Sequence, residues 1–363
     1  MKKILYFIQL PPPIHGVSSI NKFIYESKMV NANIKKRKIS INYSDDLNKL
    51  GKASVNKILI LIRLWLQLLY SLTIFRPSLV YFTIVPLGSG FIRDLIFVIL
   101  FKIFNVKTIY HLHGNGISDV RSKFKIRLYR FVFSDSVVIH LSEGLLKKEI
   151  IPLKLKNSTL YSVPNGTDEI SDVPYKKKKN EKINILYLSN YSESKGLFVL
   201  INAIKILKQN ELKFHLRVVG KPFNINKSKL DNLIKLYNLN EYISFVGPKY
   251  KEGKDREFRK ADIFVFPTLN DTFPLVIIEA MKYSLPVVSS AEGAIPEIIE
   301  DGKTGFIVDK GDYISVANRL ERLIKNESLR EAMGKNGYIK FKNEYTINVF
   351  EDRMAEIFKQ NLD

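Results

Sequence analysis

The 363-residue chain has no cysteine and a single tryptophan, Trp65. Without thiols there can be no disulfide, thiolate metal site or cysteine nucleophile, and a cytosolic setting fits that lack. Asp-x-Asp is also missing, and the five histidines fall in no metal-ligand spacing. Acidic residues are scarce, at 36 Asp and Glu against 57 Lys and Arg, a net charge of +21. Residues 1–170 hold 25 of the basic residues and only 10 of the acidic ones. A surface of that kind seeks anions: nucleic acid, lipid headgroups or phosphorylated substrates. The basic residues form no recognised nucleic-acid module, so nucleic acid is not an expected partner.

Long hydrophobic runs are equally few. The opening Ile4–Ile8 is too short for a signal peptide core and meets Pro11-Pro12-Pro13. Ile58–Phe75 has the length of a membrane span, but Arg63, Gln67 and Ser71 at i, i+4, i+8 form a polar stripe on it. Such a helix is expected to pack on a sheet or lie on a membrane, not to cross one. Arg121–Phe133 interleaves Arg121, Lys123, Lys125, Arg127 and Arg130 with Phe124, Ile126, Leu128, Tyr129, Phe131 and Phe133. This pattern suits either a solvated helix face or a headgroup boundary. Trp65 alone reads more readily as core than as an anchor.

What the chain has in abundance is short apolar runs alternating with helical patterns, the mark of βα units and parallel sheets. Strands are expected at Ile4–Ile8, Lys38–Asn42, Leu79–Val85, Thr108–Leu112, Val137–Leu141 and Thr159–Val163. A second series follows at Ile183–Leu188, His215–Val219, Ile243–Val246, Ile263–Phe266, Pro286–Ser289 and Phe306–Val308. Between them, Glu169–Lys182 has no apolar period and four consecutive lysines, and reads as a linker. The length suits two domains. They are expected at 1–170 and 171–344, with about 345–363 crossing back to the first on the apolar face of Ile347, Phe350, Met354, Ile357 and Phe358. Open α/β sheets bind ligands beyond the carboxyl ends of their strands.

Three turns could hold an anion. The first strand runs through Pro11-Pro12-Pro13-Ile14-His15-Gly16 into a helix, and Ile183–Leu188 runs through Asn190 to Lys195-Gly196 and another; helix N-termini favour phosphate. The most informative stretch runs from Phe264 to Met281. A buried strand ends at Pro267, a polar loop follows, and a helix opens near Pro274, with Thr272 or Asp271 able to cap it. Glu279 lies among Val276, Ile277, Ile278, Ala280 and Met281. A carboxylate in such company needs hydrogen-bond donors, and sugar hydroxyls qualify.

The run from Asp271 to Glu279 resembles the Glu-x7-Glu motif of the family 4 glycosyltransferases. Val163-Pro-Asn-Gly166 with Asp168 resembles their interdomain turn, and Lys195-Gly196 their donor-phosphate loop. Gly293-Ala-Ile-Pro-Glu297, Asp301-Gly302 and Thr304-Gly305-Phe306 resemble the elements beyond, and Pro11-Pro12-Pro13 with Gly16 the N-terminal loop of bacterial surface-polysaccharide transferases.

The resemblance implies an α/β GT-B fold: two Rossmann-like doubly wound domains facing across a cleft, with the C-terminal helix returning to the first. It implies retaining, metal-independent transfer of a hexose or N-acetylhexosamine from a nucleotide sugar, UDP-linked at the family level, with no cofactor. The implied acceptor is a lipid-linked glycan at the cytoplasmic face of the plasma membrane, in O-antigen, capsule or related synthesis.

By position, Glu279 would hold the ribose hydroxyls, Asp271 the transferred sugar, and Lys195 the leaving diphosphate. His113 would lie near the reaction centre. Backbone amides near Thr272, Phe273, Pro274, Leu275 and Val276 would meet sugar and phosphate, and the stretch Phe245-Val246-Gly247 would line the base pocket. Asp271 stands where the family has Glu, one methylene shorter, and Asn190 where it commonly has Arg. The alternative class is a sugar-nucleotide-binding, epimerase-like or non-catalytic GT-B protein.

Overall fold

A computed structural model of the chain describes residues 1–12, 16–41, 55–169 and 181–362. Pro13, Ile14, His15, Asn42 and nearly all of the linker expected at 169–182 lie outside them. The chain divides into two units, Met1–Asn165 with Asn348–Asp363, and Gly166–Ile347.

The first unit carries six strands: β1 (Lys2–Ile8), β2 (Ile34–Ser40), β3 (Leu79–Phe82), β4 (Lys107–His111), β5 (Val137–His140) and β6 (Thr159–Ser162). All pair in parallel, in the order β2-β1-β3-β4-β5-β6. The inner strands are buried on both faces, which is why they read as unbroken apolar runs. β2 is the exception. It begins four residues before its expected start because Lys35, Lys36, Arg37 and Lys38 pair with β1 at the sheet edge. Charge on an edge strand hid it from an apolar search and also blocks pairing with another chain.

One face of this sheet is covered by the helices Val55–Tyr70, Gly88–Ile103 and Lys123–Phe133. Their Leu64, Leu68, Phe97, Phe101, Tyr129 and Phe133 share one core with Phe7, Phe82 and Tyr110. Trp65 is half-buried against that core. On the other face, Phe358 of the helix Ile347–Leu362 meets the rings of Tyr6 and Tyr81, and Phe350 meets Phe23.

The second unit has β7 (Ile183–Leu188), β8 (Phe214–Val219), β9 (Ile243–Gly247), β10 (Ile263–Phe266), β11 (Val287–Ser290) and β12 (Gly305–Val308). Again all are parallel, in the order β12-β11-β10-β7-β8-β9. Each unit is thus doubly wound. Its boundaries fall at 165/166 and 347/348, not at 170/171 and 344/345, because Thr167 pairs with Thr346. Their neighbours close the pairing: Thr167 N–H donates to Tyr345 O at 3.0 Å and Ile347 N–H to Thr167 O at 3.0 Å. Gly166 fits only because it has no side chain, since a Cβ would stand 2.5 Å from Thr346 O.

Candidate functional site

In the second sheet the winding direction reverses between β7 and β10. Loops leaving two such strands diverge and open a crevice at their carboxyl ends, the usual place for a ligand in this architecture. Lys195 comes from the loop after β7 and Asp271 from the loop after β10. Lys195 Nζ donates to Asp271 Oδ2 at 2.7 Å and to Asn270 O at 3.0 Å.

The backbone holds this arrangement. Ser194 O accepts from Leu269 N–H at 2.8 Å, Asn270 N–H at 3.1 Å and Thr268 Oγ1 at 3.1 Å. Gly196 turns the chain with φ of +74°, and a Cβ there would lie 1.8 Å from Pro267 O. From the loop after β11, Ala294 N–H donates to Thr272 O at 2.9 Å.

The helix Leu275–Lys282 follows, with Pro274 as N-cap and no side-chain cap. The expected cap by Thr272 or Asp271 is not made, because the Asp271 carboxylate is turned to Lys195. The start of this helix therefore keeps main-chain N–H groups and the positive dipole end available to an anion. Glu279 lies one turn inside, and its partner is a residue that sequence reasoning missed. Lys254 Nζ, from the helix Glu252–Lys260, donates to Glu279 Oε1 at 2.5 Å. Lys254 sits in an ordinary basic run, Lys249 to Lys260, and nothing in its spacing distinguishes it from its neighbours.

Beyond β8 and β9 lies a cavity of about 440 Å³ lined by Tyr191, Gly220, Lys221, Pro222, Phe245 and Gly247 among others. Tyr191 and Phe245 meet edge to face, with ring centres 5.6 Å apart. Such a lining, apolar rings beside backbone groups with one lysine and one carboxylate, Asp231, suits a flat heterocycle. Tyr191 is four residues before Lys195, so one loop connects the cavity to the cation. Gly247 lines it with φ of +76°, whereas Val246 is half-buried and is not among the lining residues. Asn190 is exposed just after β7. Phe273 is buried and meets the Tyr345 ring, and Leu275 and Val276 are half-buried in the first turn of their helix.

Two expected positions, Gly16 and His113, belong to the first unit. Gly16 is exposed and opens the helix Gly16–Glu26. His113 follows β4, its ring centre 4.1 Å from that of His111. Tyr81 Oη and His111 Nδ1 share a 2.6 Å hydrogen bond. Burial first, then the neighbouring His113 and His140, hold His111 well below the usual histidine range. Burial lowers His140 to about 4. Both are neutral at pH 7, which fits positions inside a sheet end.

Beside Glu279 the buried Lys282 is lowered by desolvation, against the pull of Asp255 and Glu279. Desolvation also raises Tyr283, with Asp255 adding.

The sequence model of a family described as "Glycosyl transferases group 1" matches residues 169–340, nearly all of the second unit. Among curated relatives, the capsular polysaccharide biosynthesis glycosyltransferase CapM of Staphylococcus aureus is 29% identical over 276 residues, covering 69% of each chain. Two solved structures share the fold. The lipopolysaccharide outer core galactosyltransferase WaaB superposes with a TM-score of 0.74 at 15% identity, over 99% of both chains. Anabaena HepE in complex with UDP-glucose gives 0.69 at 16%, covering 99% of this chain and 100% of that one.

Proposed function

Because the chain belongs to the group 1 glycosyltransferases of GT-B type, with homologues in surface-polysaccharide biosynthesis, we propose that it moves a hexosyl or N-acetylhexosaminyl group from a UDP-sugar to a lipid-linked glycan, with retention at the anomeric carbon. The observation that carries this is the crevice between β7 and β10, where Lys195, the start of the helix Leu275–Lys282 and Glu279 converge beside a ring-lined cavity.

In this reading the uracil enters the cavity of Tyr191 and Phe245, and the ribose hydroxyls donate to Glu279. The diphosphate lies against Lys195 and the N–H groups of Leu275 and Val276. Breaking the anomeric bond builds charge on the departing diphosphate, and those donors are already fixed in place to meet it. The acceptor proton passes to the leaving phosphate on the same face of the sugar. Among the described residues, Asp271 is held by Lys195 and Glu279 by Lys254, which argues against either carboxylate as a covalent nucleophile.

The acceptor reading rests on the first unit. Ile58, Ile62, Leu66, Tyr70 and Ile74 are each at least half exposed and recur every fourth residue, a row that winds slowly around the helix and its terminal turn. Ile92, Ile96, Ile99 and Ile103 are exposed on the helix Gly88–Ile103, and Phe124 and Phe131 on Lys123–Phe133. These helices cover the same sheet face, so the stripes form a greasy surface edged by lysine and arginine. A patch of this size needs a partner. Its chemistry is that of an anionic inner leaflet, where a lipid-linked acceptor would reside.

The test is a thermal-shift panel of nucleoside diphosphates and their sugars, followed by product analysis. A melting point raised by UDP-sugars above all others supports the reading, since only a ligand of the folded state raises it. No shift with any nucleotide sugar would end it.

A further inference from the structure

The helix Val55–Tyr70 and the edge strand β2 enclose a cavity of about 550 Å³, lined by Arg37, Lys38, Ile39, Ser40, Ile60, Arg63, Leu64 and Gln67. It lies in the first unit. We propose that it binds the phosphate headgroup of an anionic phospholipid, held between Arg37 and Arg63. This rests on the membrane reading above and deepens it: the surface would recognise headgroups, not only hydrocarbon.

Three observations converge. Among the described residues the lining has two guanidinium groups and no carboxylate, so the cavity is complementary to an anion; the Lys38 ammonium is turned to the other face of β2, over the Tyr25 ring. Arg37 lies over the Tyr70 ring at 4.9 Å. A guanidinium stacked this way keeps its in-plane N–H fork free to meet phosphate oxygens. The floor is apolar, from Ile39, Ile60 and Leu64, which suits a glycerol backbone better than bare phosphate.

The position completes the argument. Arg63 and Gln67 directly follow Ile62 and Leu66, so they lie about 100° around the helix from the exposed apolar stripe. A helix resting that stripe on hydrocarbon would hold Arg63 at the level where headgroups sit. Lys35 is exposed on the same edge strand, two residues from Arg37 and on the same face, and extends the positive rim. A nucleic-acid backbone could meet the arginines but would leave the isoleucine stripe in water.

The full-length protein should be sedimented with vesicles of phosphatidylglycerol and phosphatidylcholine at low salt, comparing wild type, Arg63→Gln, Arg37→Gln/Arg63→Gln, and a control of equal charge loss in the second unit, Lys235→Gln/Lys335→Gln. Removing a basic residue at an anionic surface weakens partition roughly fivefold, so the arginine pair should lose about thirtyfold. The lysine control should change little, and Arg63→Gln alone guards against misfolding of the double variant.

If wild type ignores anionic vesicles, both the membrane reading and this site fall. Should wild type bind while the arginine variant matches the lysine control, the membrane reading stands and the cavity assignment falls. If inorganic phosphate alone raises the melting point of wild type but not of the arginine variant, and vesicles do not compete, the site takes free anions and the lipid assignment is overturned. Displacement of bound vesicles by duplex DNA, lost in the arginine variant, would overturn it in favour of nucleic acid.

Discussion

Replacing Gly196 by alanine tests whether the crevice owes its geometry to the close approach of two loops. Gly196 has φ of +74°, a conformation that costs an ordinary residue about 1–2 kcal/mol. The added Cβ would also lie 1.8 Å from Pro267 O and 2.6 Å from its carbonyl carbon. That atom is main chain at the end of β10 and cannot rotate aside, so the loops after β7 and β10 must part. Overpacking of this kind adds about 1–3 kcal/mol, for a total of about 2–5.

Gly311→Ala is the control: its φ is +83° with nothing within 4 Å of the new Cβ, so it carries the conformational cost alone. Urea unfolding followed by far-ultraviolet circular dichroism reads both units, whereas the fluorescence of Trp65 reads only the first. The expected excess destabilisation appears in the former signal. Since Lys195 is the adjacent residue, a displacement near 1 Å should also weaken turnover about a hundredfold. The reasoning fails if Gly196→Ala and Gly311→Ala agree within about 0.5 kcal/mol and UDP-sugar binding is unchanged.

Lys195→Ala and Glu279→Ala should each lower kcat by roughly 10²–10³, the usual loss for a donor aimed at developing charge, with melting points near wild type; full activity in either would contradict the site. Arg217 Nε and Nη2 bridge Glu257 at 2.7 and 3.0 Å, and Glu257 is buried. Arg217→Met strands that carboxylate and should cost about 3–5 kcal/mol, largely recovered in Arg217→Met/Glu257→Leu, as urea midpoints would show.

Acid should weaken the first unit through His140. Its folded-state pKa is depressed to about 4 from 6.5, so its contribution is fully present above pH 6.5 and is lost as pH falls toward 4, where the unfolded chain binds the proton first. The loss reaches about 3 kcal/mol for this group, and Trp65 fluorescence of His140→Asn should show a flatter pH profile; an identical profile would refute it.

Reading the sequence placed all twelve strands because most of them are buried, apolar and short, a pattern that burial itself imposes, and the half-exposed β6 and β9 still carry Leu160, Tyr161, Ile243, Phe245 and Val246 between turn signals. β2 slipped because its pairing is set by β1 and its residues are charged. The crevice residues stood out for different reasons: Asp271 and Glu279 are carboxylates that packing alone does not justify, and Lys195 stands between a strand and a helix start, where an anion could lie. Lys254 was not legible, since a lysine among lysines acquires its meaning only when the chain folds it onto Glu279. Tyr191 and Phe245 come from separate strand ends, and no linear spacing announces that two rings will meet.

The helix Ile347–Leu362 has a consequence for synthesis. Phe350, Met354 and Phe358 complete a core whose first strand begins at Lys2, so the first unit to emerge from the ribosome is the last that can close. Gly166–Ile347 has all its strands in hand before that helix is translated. In the cell the second unit would mature while the half that precedes it still waits, one face of its sheet only partly covered by the helix Gly16–Glu26, for Phe350, Met354 and Phe358.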